Sequence, residues 1–195
     1  MPDCLQEALR KNGGTIVSAE ANALGVSNER LRLLVKSGVL ERAAHGVYIA
    51  PGDFFDRMHI AQKRRQKMIY SHETALFLHE LIDRDPIVYT VTVPSGYNAK
   101  AILADGLAVY FVKRELHEMG VTPMQTLFGN TVIAYDLERT MCDCIRSRNQ
   151  IDIALVTEAV KRYARRHDKN LNTLMKMAEA FHIIKPLRSY LEVLL

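Results

Sequence analysis

The chain has 195 residues, of which 48% are hydrophobic and 25% are charged, and its formal net charge is +4. This composition fits an ordinary globular protein with room for one large domain or two small ones. No apolar run approaches the roughly 18 residues that span a bilayer, and the first residues lack the layout of a signal peptide. We therefore expect a cytoplasmic protein with no membrane partner.

The positive charge is unevenly distributed along the chain. Residues 1–70 contain 11 Lys and Arg against 7 Asp and Glu, whereas residues 71–195 contain 15 of each kind. A local basic surplus is expected where a protein meets a polyanion. Four charges are also within ordinary scatter, so the surplus supports a DNA-binding motif in this region and does not establish one.

Cysteine and histidine spacing argues against a metal or redox site. Cys4 lies far from Cys142 and Cys144, and the latter two are spaced unlike a CxxC motif, so reduced thiols are expected. His72 and His79 are about two helical turns apart, which is too far for a pair of adjacent ligands. The sequence thus predicts no metal site and no cofactor.

The first elements are predicted from apolar spacing and glycine breaks. A helix is expected over residues 5–11, and a short extended segment over residues 15–17, which could join a later hairpin. Ser18 is a plausible N-cap for a helix over residues 19–24, because its hydroxyl can accept from a free backbone N–H. Gly25 can adopt the left-handed conformation that ends this helix.

A second helix is predicted over residues 28–37, with Ser27 as its N-cap and Gly38 after its end. Apolar residues at i, i+3 and i+4 form one inward face: Leu31, Leu34 and Val35. Basic residues lie largely off that face: Arg30, Arg32 and Lys36. A helix–turn–helix whose second helix is basic and exposed is the geometry that enters a DNA major groove.

A β-hairpin is predicted directly after this helix, from strands over residues 39–42 and 47–50. Arg42 and His45 would lie near its tip, within reach of phosphates or the minor groove. A hairpin in this position is the wing of a winged helix, so residues 1–52 are predicted to form a winged helix DNA-binding domain. The alternative is a small helical subdomain with a hairpin and no ligand.

Residues 53–69 are predicted to be a connector helix, capped near Asp53 and extending to about Met68. It carries a basic cluster: Arg57, Lys63, Arg64, Arg65 and Lys67. The cluster could contact DNA phosphates beside the recognition helix and add affinity that depends on salt. A solvated helix face is an equally acceptable interpretation.

Residues 70–195 are predicted to form a mixed α/β domain that ends in helices. The predicted strands cover residues 87–93, 107–113 and 131–134. The predicted helices cover residues 70–81 (capped by Ser71), 99–103, 137–148 (capped by Asp136), 153–167, 171–181 and 187–195. The predicted fold class is therefore α+β: an N-terminal winged helix–turn–helix, then a mixed α/β C-terminal domain with a helical end. This division predicts that truncation near residue 70 leaves a folded DNA-binding module.

The carboxylates near Asp136 do not indicate a catalytic site. Glu138 and Asp143 are five residues apart, which disfavours a shared helix face, and Arg139 can pair with Asp136 or Asp143. A structural ion pair is the expected role. The sequence contains no motif for a nucleotide-binding loop, a zinc hydrolase or a nucleophile elbow, so no catalytic residue is predicted.

Several short motifs together resemble one family. The order and spacing of these motifs resemble those of the AbiEi antitoxins of bacterial type IV, abortive-infection toxin–antitoxin systems. The motifs are Gly13-Gly14, Gly25-Val26-Ser27, Leu40-Glu41-Arg42, Gly46-Val47-Tyr48, the segment 70–76 and the segment 136–143.

The resemblance implies a DNA-binding antitoxin that represses its own operon. It also implies a C-terminal domain that opposes a nucleotidyltransferase-like toxin without forming a stable complex with it. Two other functions stay open: a winged-helix transcription factor with a sensing or dimerisation domain, and a nuclease to which the winged helix delivers DNA. The expected partner is double-stranded operator DNA, and the candidate contact residues are Ser27, Asn28, Arg30, Arg32, Lys36, Arg42, His45, Arg64 and Arg65.

Overall fold

A computed structural model of the chain describes residues 1–52 and 56–192. Its contacts divide it into an N-terminal unit, residues 1–66 with 125–132, and a C-terminal unit, residues 67–124 with 133–195. The predicted α+β class is confirmed. The predicted boundaries after residues 52 and 69 stay a prediction, because contacts do not reveal which part of a chain folds alone.

The N-terminal unit is a three-helix scaffold with a small sheet and one further helix. The sheet is antiparallel with strand order β1-β3-β2, so the prediction that residues 15–17 join the hairpin is confirmed. The elements are α1 (Asp3–Lys11), β1 (Thr15–Val17), α2 (Ser18–Ala23), α3 (Asn28–Lys36), β2 (Glu41–Ala44), β3 (Val47–Ile49) and α4 (Arg57–Arg64).

One apolar cluster contains side chains from the first three helices and from the hairpin. The predicted inward face of α3 is confirmed, because Leu31 and Leu34 are buried and Val35 packs against the same cluster. Burying several leucines supplies the main favourable term for such a small scaffold. The cluster consists of Leu5, Leu9, Ile16, Ala21, Val26, Leu31, Leu34, Leu40 and Tyr48.

The predicted N-cap at Ser18 is wrong. The helix already begins at Ser18, and the Ser18 hydroxyl donates to the Gly46 carbonyl at 3.0 Å. The backbone N–H of Val17 instead donates to Glu20 Oε2 at 3.2 Å. Ser18 thus ties the start of α2 to the turn of the hairpin, a contact that local sequence rules do not consider.

The first hairpin strand begins later than predicted. The backbone N–H groups of Val39 and Leu40 both donate to the Leu34 carbonyl, at 2.9 and 3.2 Å, so these residues close the end of α3. The strand therefore starts at Glu41. Free carbonyls at a helix end need such partners, and this requirement outweighs the strand preference of Val39.

The connector helix is shorter than predicted. Asp56 caps α4 by accepting from the His59 backbone N–H at 3.0 Å, and the helix ends at Arg64. The predicted cap at Asp53 lies outside the described residues. Met68 was predicted to end the helix, but it directly precedes a strand of the C-terminal unit.

Asp56 also anchors the 125–132 segment within the N-terminal unit. Its carboxylate is almost fully buried, and Oδ2 accepts from Thr126 Oγ1 at 2.6 Å and from Asn130 Nδ2 at 2.9 Å. A Cβ atom at Gly13 would lie 1.7 Å from Asn130 Oδ1, and Gly13 has a φ of +58°. Gly13 is therefore required both by its backbone conformation and by this close approach.

The C-terminal unit combines a mixed sheet with helices, as predicted. The strand order is β6-β5-β4-β8-β7, with β4 antiparallel to β5, and the β5–β6 and β4–β8 pairs parallel. The strands are β4 (Ile69–Tyr70), β5 (Thr90–Pro94), β6 (Ala108–Val112), β7 (Val121–Gln125) and β8 (Thr131–Tyr135), of which residues 125, 131 and 132 are assigned to the N-terminal unit. The helices are α5 (His72–Leu78), α6 (Lys100–Ala104), α7 (Arg114–His117), α8 (Leu137–Arg146), α9 (Ile153–Arg165), α10 (Leu171–Ala180) and α11 (Ile184–Glu192).

Several predicted boundaries in this unit are wrong. Tyr70 belongs to a strand. Ser71 occupies the N-cap position of α5 as predicted, but its hydroxyl accepts from Thr92 Oγ1 at 2.8 Å and makes no side-chain cap. The strand predicted from Ile87 begins at Thr90, and Ile87 is 78% exposed. The last helix begins at Ile184, before the predicted position, and residues 193–195 lie outside the described part.

Helix α8 is buried along nearly its whole length and contains a buried ion pair between Arg139 and Asp143. Asp136 caps it as predicted, accepting from the Arg139 backbone N–H at 2.8 Å. Arg139 is fully buried, and its Nε donates to Asp143 Oδ2 at 3.0 Å. Its Nη1 donates to the carbonyls of Leu116 and Met119, both at 2.7 Å. The ion pair lies within α8 and matches the structural role predicted for it, while the two Nη1 hydrogen bonds hold α8 to residues 116–119.

Candidate nucleic-acid interface

Helix α3 presents a cationic face to solvent. Ser27 Oγ accepts from the Arg30 backbone N–H at 3.2 Å, which fixes the first turn of the helix. Packing of Leu31 and Leu34 against the scaffold directs the opposite side outward. The predicted contact residues on this helix are all exposed: Ser27, Asn28, Arg30, Arg32 and Lys36.

The helical repeat places Arg30 and Arg32 on opposite flanks of this face. Residues advance by about 100° each, so two positions of difference leave the side chains roughly 160° apart. The middle of the exposed face is occupied by Glu29, Leu33 and Lys36. Leu33 is 53% exposed although its neighbours Leu31 and Leu34 are buried. Sequence reasoning missed Glu29 and Leu33, and the same rotation about the helix axis would have found them.

A cavity of about 260 Å³ separates α3 from the hairpin and identifies the flank that faces the wing. Arg32 lies on this flank, whereas Arg30 lies on the flank that points away. Both predicted wing residues, Arg42 and His45, line the cavity. Its lining is completed by Ser18, Asn28, Val35, Gly46 and Tyr48.

The tip of the wing is fixed by local contacts. Arg42 Nη2 lies 3.1 Å from His45 Nδ1, and because a guanidinium can only donate, this histidine nitrogen accepts. The strand register shifts between Arg42 and Ala44, which re-aims the side chains at the tip. Gly46 has a φ of +70°, and a Cβ there would lie 2.8 Å from Ser18 Oγ, so no other residue fits this turn well.

The basic cluster on α4 is less accessible than the cationic face of α3. Lys63 Nζ pairs with Glu20 Oε1 at 3.0 Å, which uses its charge inside the unit. Arg64 and Arg65 are half-buried, and Arg65 Nη1 donates to the Arg64 carbonyl at 3.1 Å. These two arginines are therefore secondary candidates beside α3 and the wing.

A second basic surface, on α9, is largely neutralised. Arg162 is bound by Asp83 through two contacts of 2.6 and 2.7 Å and by Glu158 at 2.9 Å. Arg166 forms a similar two-contact pair with Asp168, at 2.7 and 2.8 Å. The other basic residues of this helix, Lys161 and Arg165, are exposed. This surface is a poorer match for a polyanion than α3.

His72 is a packed core residue. Its Nδ1 lies 2.9 Å from Ser71 Oγ and its Nε2 lies 3.1 Å from Ser147 Oγ, while its ring stacks on Tyr110 at 3.5 Å. Burial, with smaller contributions from nearby Arg146 and Arg139, lowers its pKa well below the usual value. Among residues 1–52 and 56–192, no three or more His, Cys, Asp and Glu side chains form a group that could hold a metal ion.

In the part of the chain that the structure describes, no helix combines the length and the apolar character needed to cross a membrane.

The fold and the exposed face of α3 define the N-terminal unit as a winged helix–turn–helix of the kind found in DNA-binding regulators. Residues 5–51 match a family model described as a transcriptional regulator, AbiEi antitoxin. The resemblance found in the sequence is thereby confirmed for this segment. No curated protein matches the chain.

A solved structure has a similar fold over most of the chain. The RV2827C protein from Mycobacterium tuberculosis superposes with a TM-score of 0.62 and 13% sequence identity, covering 92% of this chain and 72% of that one. At this identity the similarity concerns the fold alone.

Proposed function

We propose that this protein is a DNA-binding antitoxin that represses its own type IV toxin–antitoxin operon. The observation that carries the proposal is the exposed cationic face of α3 beside the wing, within the segment that matches the AbiEi regulators. The winged helix binds operator repeats. The C-terminal unit counters a nucleotidyltransferase-like toxin without a stable complex.

The side chains of α3 make different contacts in the major groove according to their positions on the helix. The groove is about 12 Å wide, close to the diameter of a helix with its side chains. Arg30 and Arg32, on opposite flanks, reach phosphates on the two walls and set the position of the helix. Glu29 and Leu33, in the middle of the face, meet base edges. A carboxylate accepts from the cytosine N4 amine, and a leucine packs against a thymine methyl group.

The wing extends this contact along the DNA backbone. Arg42 and His45 lie on the same side of the unit as Arg32, across the cavity between wing and helix. They contact phosphates or the adjoining minor groove. Arg64 and Arg65 add sequence-independent affinity where they are accessible.

Replacing Arg30 and Arg32 together by alanine is expected to weaken binding to the upstream DNA of the operon by about tenfold or more. Both side chains are exposed, so the fold should be retained. The measurement is a gel-shift titration at fixed salt with the full-length protein. The matched control is the double variant Lys113→Ala with Arg114→Ala, which removes two exposed charges from the C-terminal unit. Equal affinity of the two double variants would place the DNA contact elsewhere.

The antitoxin part of the proposal is tested by co-expression with the adjacent gene. Full-length protein is expected to rescue growth in the presence of the toxin. The Arg30→Ala, Arg32→Ala variant should rescue equally well when it is expressed from an unrelated promoter, because the proposal assigns toxin resistance to the C-terminal unit. Failure of full-length protein to rescue would leave a winged-helix transcription factor as the better description.

A further inference from the structure

The C-terminal unit contains a surface cavity that the proposed DNA contact does not use. Its volume is about 590 Å³. Small-molecule sites in proteins usually measure about 300–1,000 Å³, so the cavity is of suitable size for a ligand rather than for a water cluster. It is formed by residues 82–88, one residue of α5 and one face of α9.

The cavity is largely apolar on its inside. Ile87 and Val88 are 78% and 47% exposed. Ile82 and Leu155 are half-buried and complete the apolar surface together with Pro86. Apolar side chains gathered in a concave site are stabilised when a ligand removes them from water.

The charged residues around this surface carry a net negative charge. Four carboxylates line the cavity against two guanidinium groups. Arg162 is bound by Asp83 and by Glu158, so these three side chains together carry one net negative charge. The carboxylates are Glu73, Asp83, Asp85 and Glu158, and the guanidinium groups are Arg84 and Arg162.

Glu73 is the least satisfied of these carboxylates. Its Oε2 atom is buried and accepts no hydrogen bond from any described part of the chain. Burial raises the pKa of Glu73 above its usual value. Thr90 provides a side-chain hydrogen bond to this carboxylate. A buried carboxylate oxygen without a hydrogen bond is nevertheless costly, and a bound cation offsets that cost.

We propose that this cavity binds a small organic cation, with an apolar body against Ile87, Val88 and Leu155 and an ammonium or amidinium group directed to Glu73. The apolar lining selects the body of such a ligand, and the carboxylate with one buried, unpaired oxygen selects its cationic group. Because all the residues belong to the C-terminal unit, the proposal does not depend on DNA binding.

Two probes with the same ring system and opposite charge test the proposal on the full-length protein. Tryptamine is expected to bind at one saturable site, and indole-3-propionate about tenfold or more weakly, because the sign of the interaction with the carboxylates is reversed. The measurements are calorimetric titration and backbone amide chemical shifts, with the largest shifts expected near residues 82–88. Equal affinity for both probes, no saturation, or shifts confined to another region would overturn the proposal.

Two variants test the carboxylate and the apolar lining of the cavity separately. Glu73→Gln keeps the shape of the side chain and should weaken tryptamine binding about fivefold or more, whereas the exposed carboxylate variant Glu115→Gln should bind as the wild type does. Ile87→Ser, at a side chain with few packing contacts to lose, should weaken both probes alike. Unchanged tryptamine affinity in both Glu73→Gln and Ile87→Ser would contradict the proposal even if one of the probes binds somewhere on the protein.

Discussion

Replacing Asp143 by alanine is expected to destabilise the C-terminal unit by about 3–5 kcal/mol, because it leaves the buried Arg139 charge without its carboxylate. Arg139 Nε donates to Asp143 Oδ2 at 3.0 Å, and Arg146 Nη2 lies 3.1 Å from Oδ1. The guanidinium of Arg139 also lies 3.8 Å from the centre of the Tyr135 ring, so it cannot move out to water without disturbing the core. Urea unfolding followed by far-UV circular dichroism measures the loss.

Two further variants separate the buried pair from ordinary ion pairing. Asp168→Ala removes a partner of Arg166 at an exposed site and should leave the unfolding midpoint almost unchanged. The double variant Arg139→Met with Asp143→Leu replaces both charges by apolar groups and should recover much of the lost stability. If Asp143→Ala unfolded at the same urea concentration as Asp168→Ala, the pair would not hold α8 as described.

Replacing Asp56 by alanine should destabilise the N-terminal unit by about 3 kcal/mol, from one lost helix cap and two lost hydrogen bonds to a charged group. The carboxylate accepts from the His59 backbone, from Thr126 Oγ1 and from Asn130 Nδ2. Thr126 Oγ1 and Asn130 Nδ2 would then lose the oxygen to which they donate. The change is measured as the shift of the thermal unfolding of the full-length protein.

Asp152 provides the matched control for this variant. It also caps a helix, accepting from the Ala154 backbone N–H at 2.8 Å, but it is exposed. Asp152→Ala should therefore cost about 1 kcal/mol, the usual value for a cap alone. Equal losses for Asp56→Ala and Asp152→Ala would mean that the contacts to Thr126 and Asn130 contribute nothing.

The contacts of Asp56 also bear on the expectation that truncation near residue 70 leaves a folded module. A fragment ending there contains Asp56 but lacks residues 125–132, which the contacts assign to the N-terminal unit. It would expose the Asp56 carboxylate and the surface beneath Asn130. We expect such a fragment to be less stable than the same unit within the full chain.

The N-terminal fold could be predicted because the residues that determine each helix end and each buried face are close together in the sequence. The spacing of Leu31 and Leu34, the Ser27 cap and the glycine after α3 each follow from one helical turn of sequence. Ser18 was misassigned because its partner, the Gly46 carbonyl, lies 28 residues away. Sequence patterns do not encode which distant group a hydroxyl meets.

The C-terminal unit was harder to predict because its central strand is very short. Strand β4 contains only Ile69 and Tyr70, yet it pairs with β5 on one side and β8 on the other. Two residues cannot show an alternating pattern, so they were assigned to neighbouring helices. Strand β7 was missed as well, since Pro123 within it argues against a strand.

The sequence indicated which basic residues of the candidate site are exposed, but not which of them face the wing. Basic side chains on an amphipathic helix are easily assigned to solvent, and Arg30, Arg32 and Lys36 are indeed exposed. The position of the wing relative to α3 depends on tertiary packing. For that reason only the structure distinguishes the Arg32 flank from the Arg30 flank.

Selection of full-length protein on a random duplex library tests the central claim most directly, because it requires no knowledge of the operator. Wild-type protein should enrich one family of sequences, Glu29→Ala or Leu33→Ala should change the preferred base at one or two positions, and Arg30→Ala with Arg32→Ala and Lys36→Ala should enrich none. The account would be contradicted if this triple variant enriched the same sequences as efficiently as the wild type.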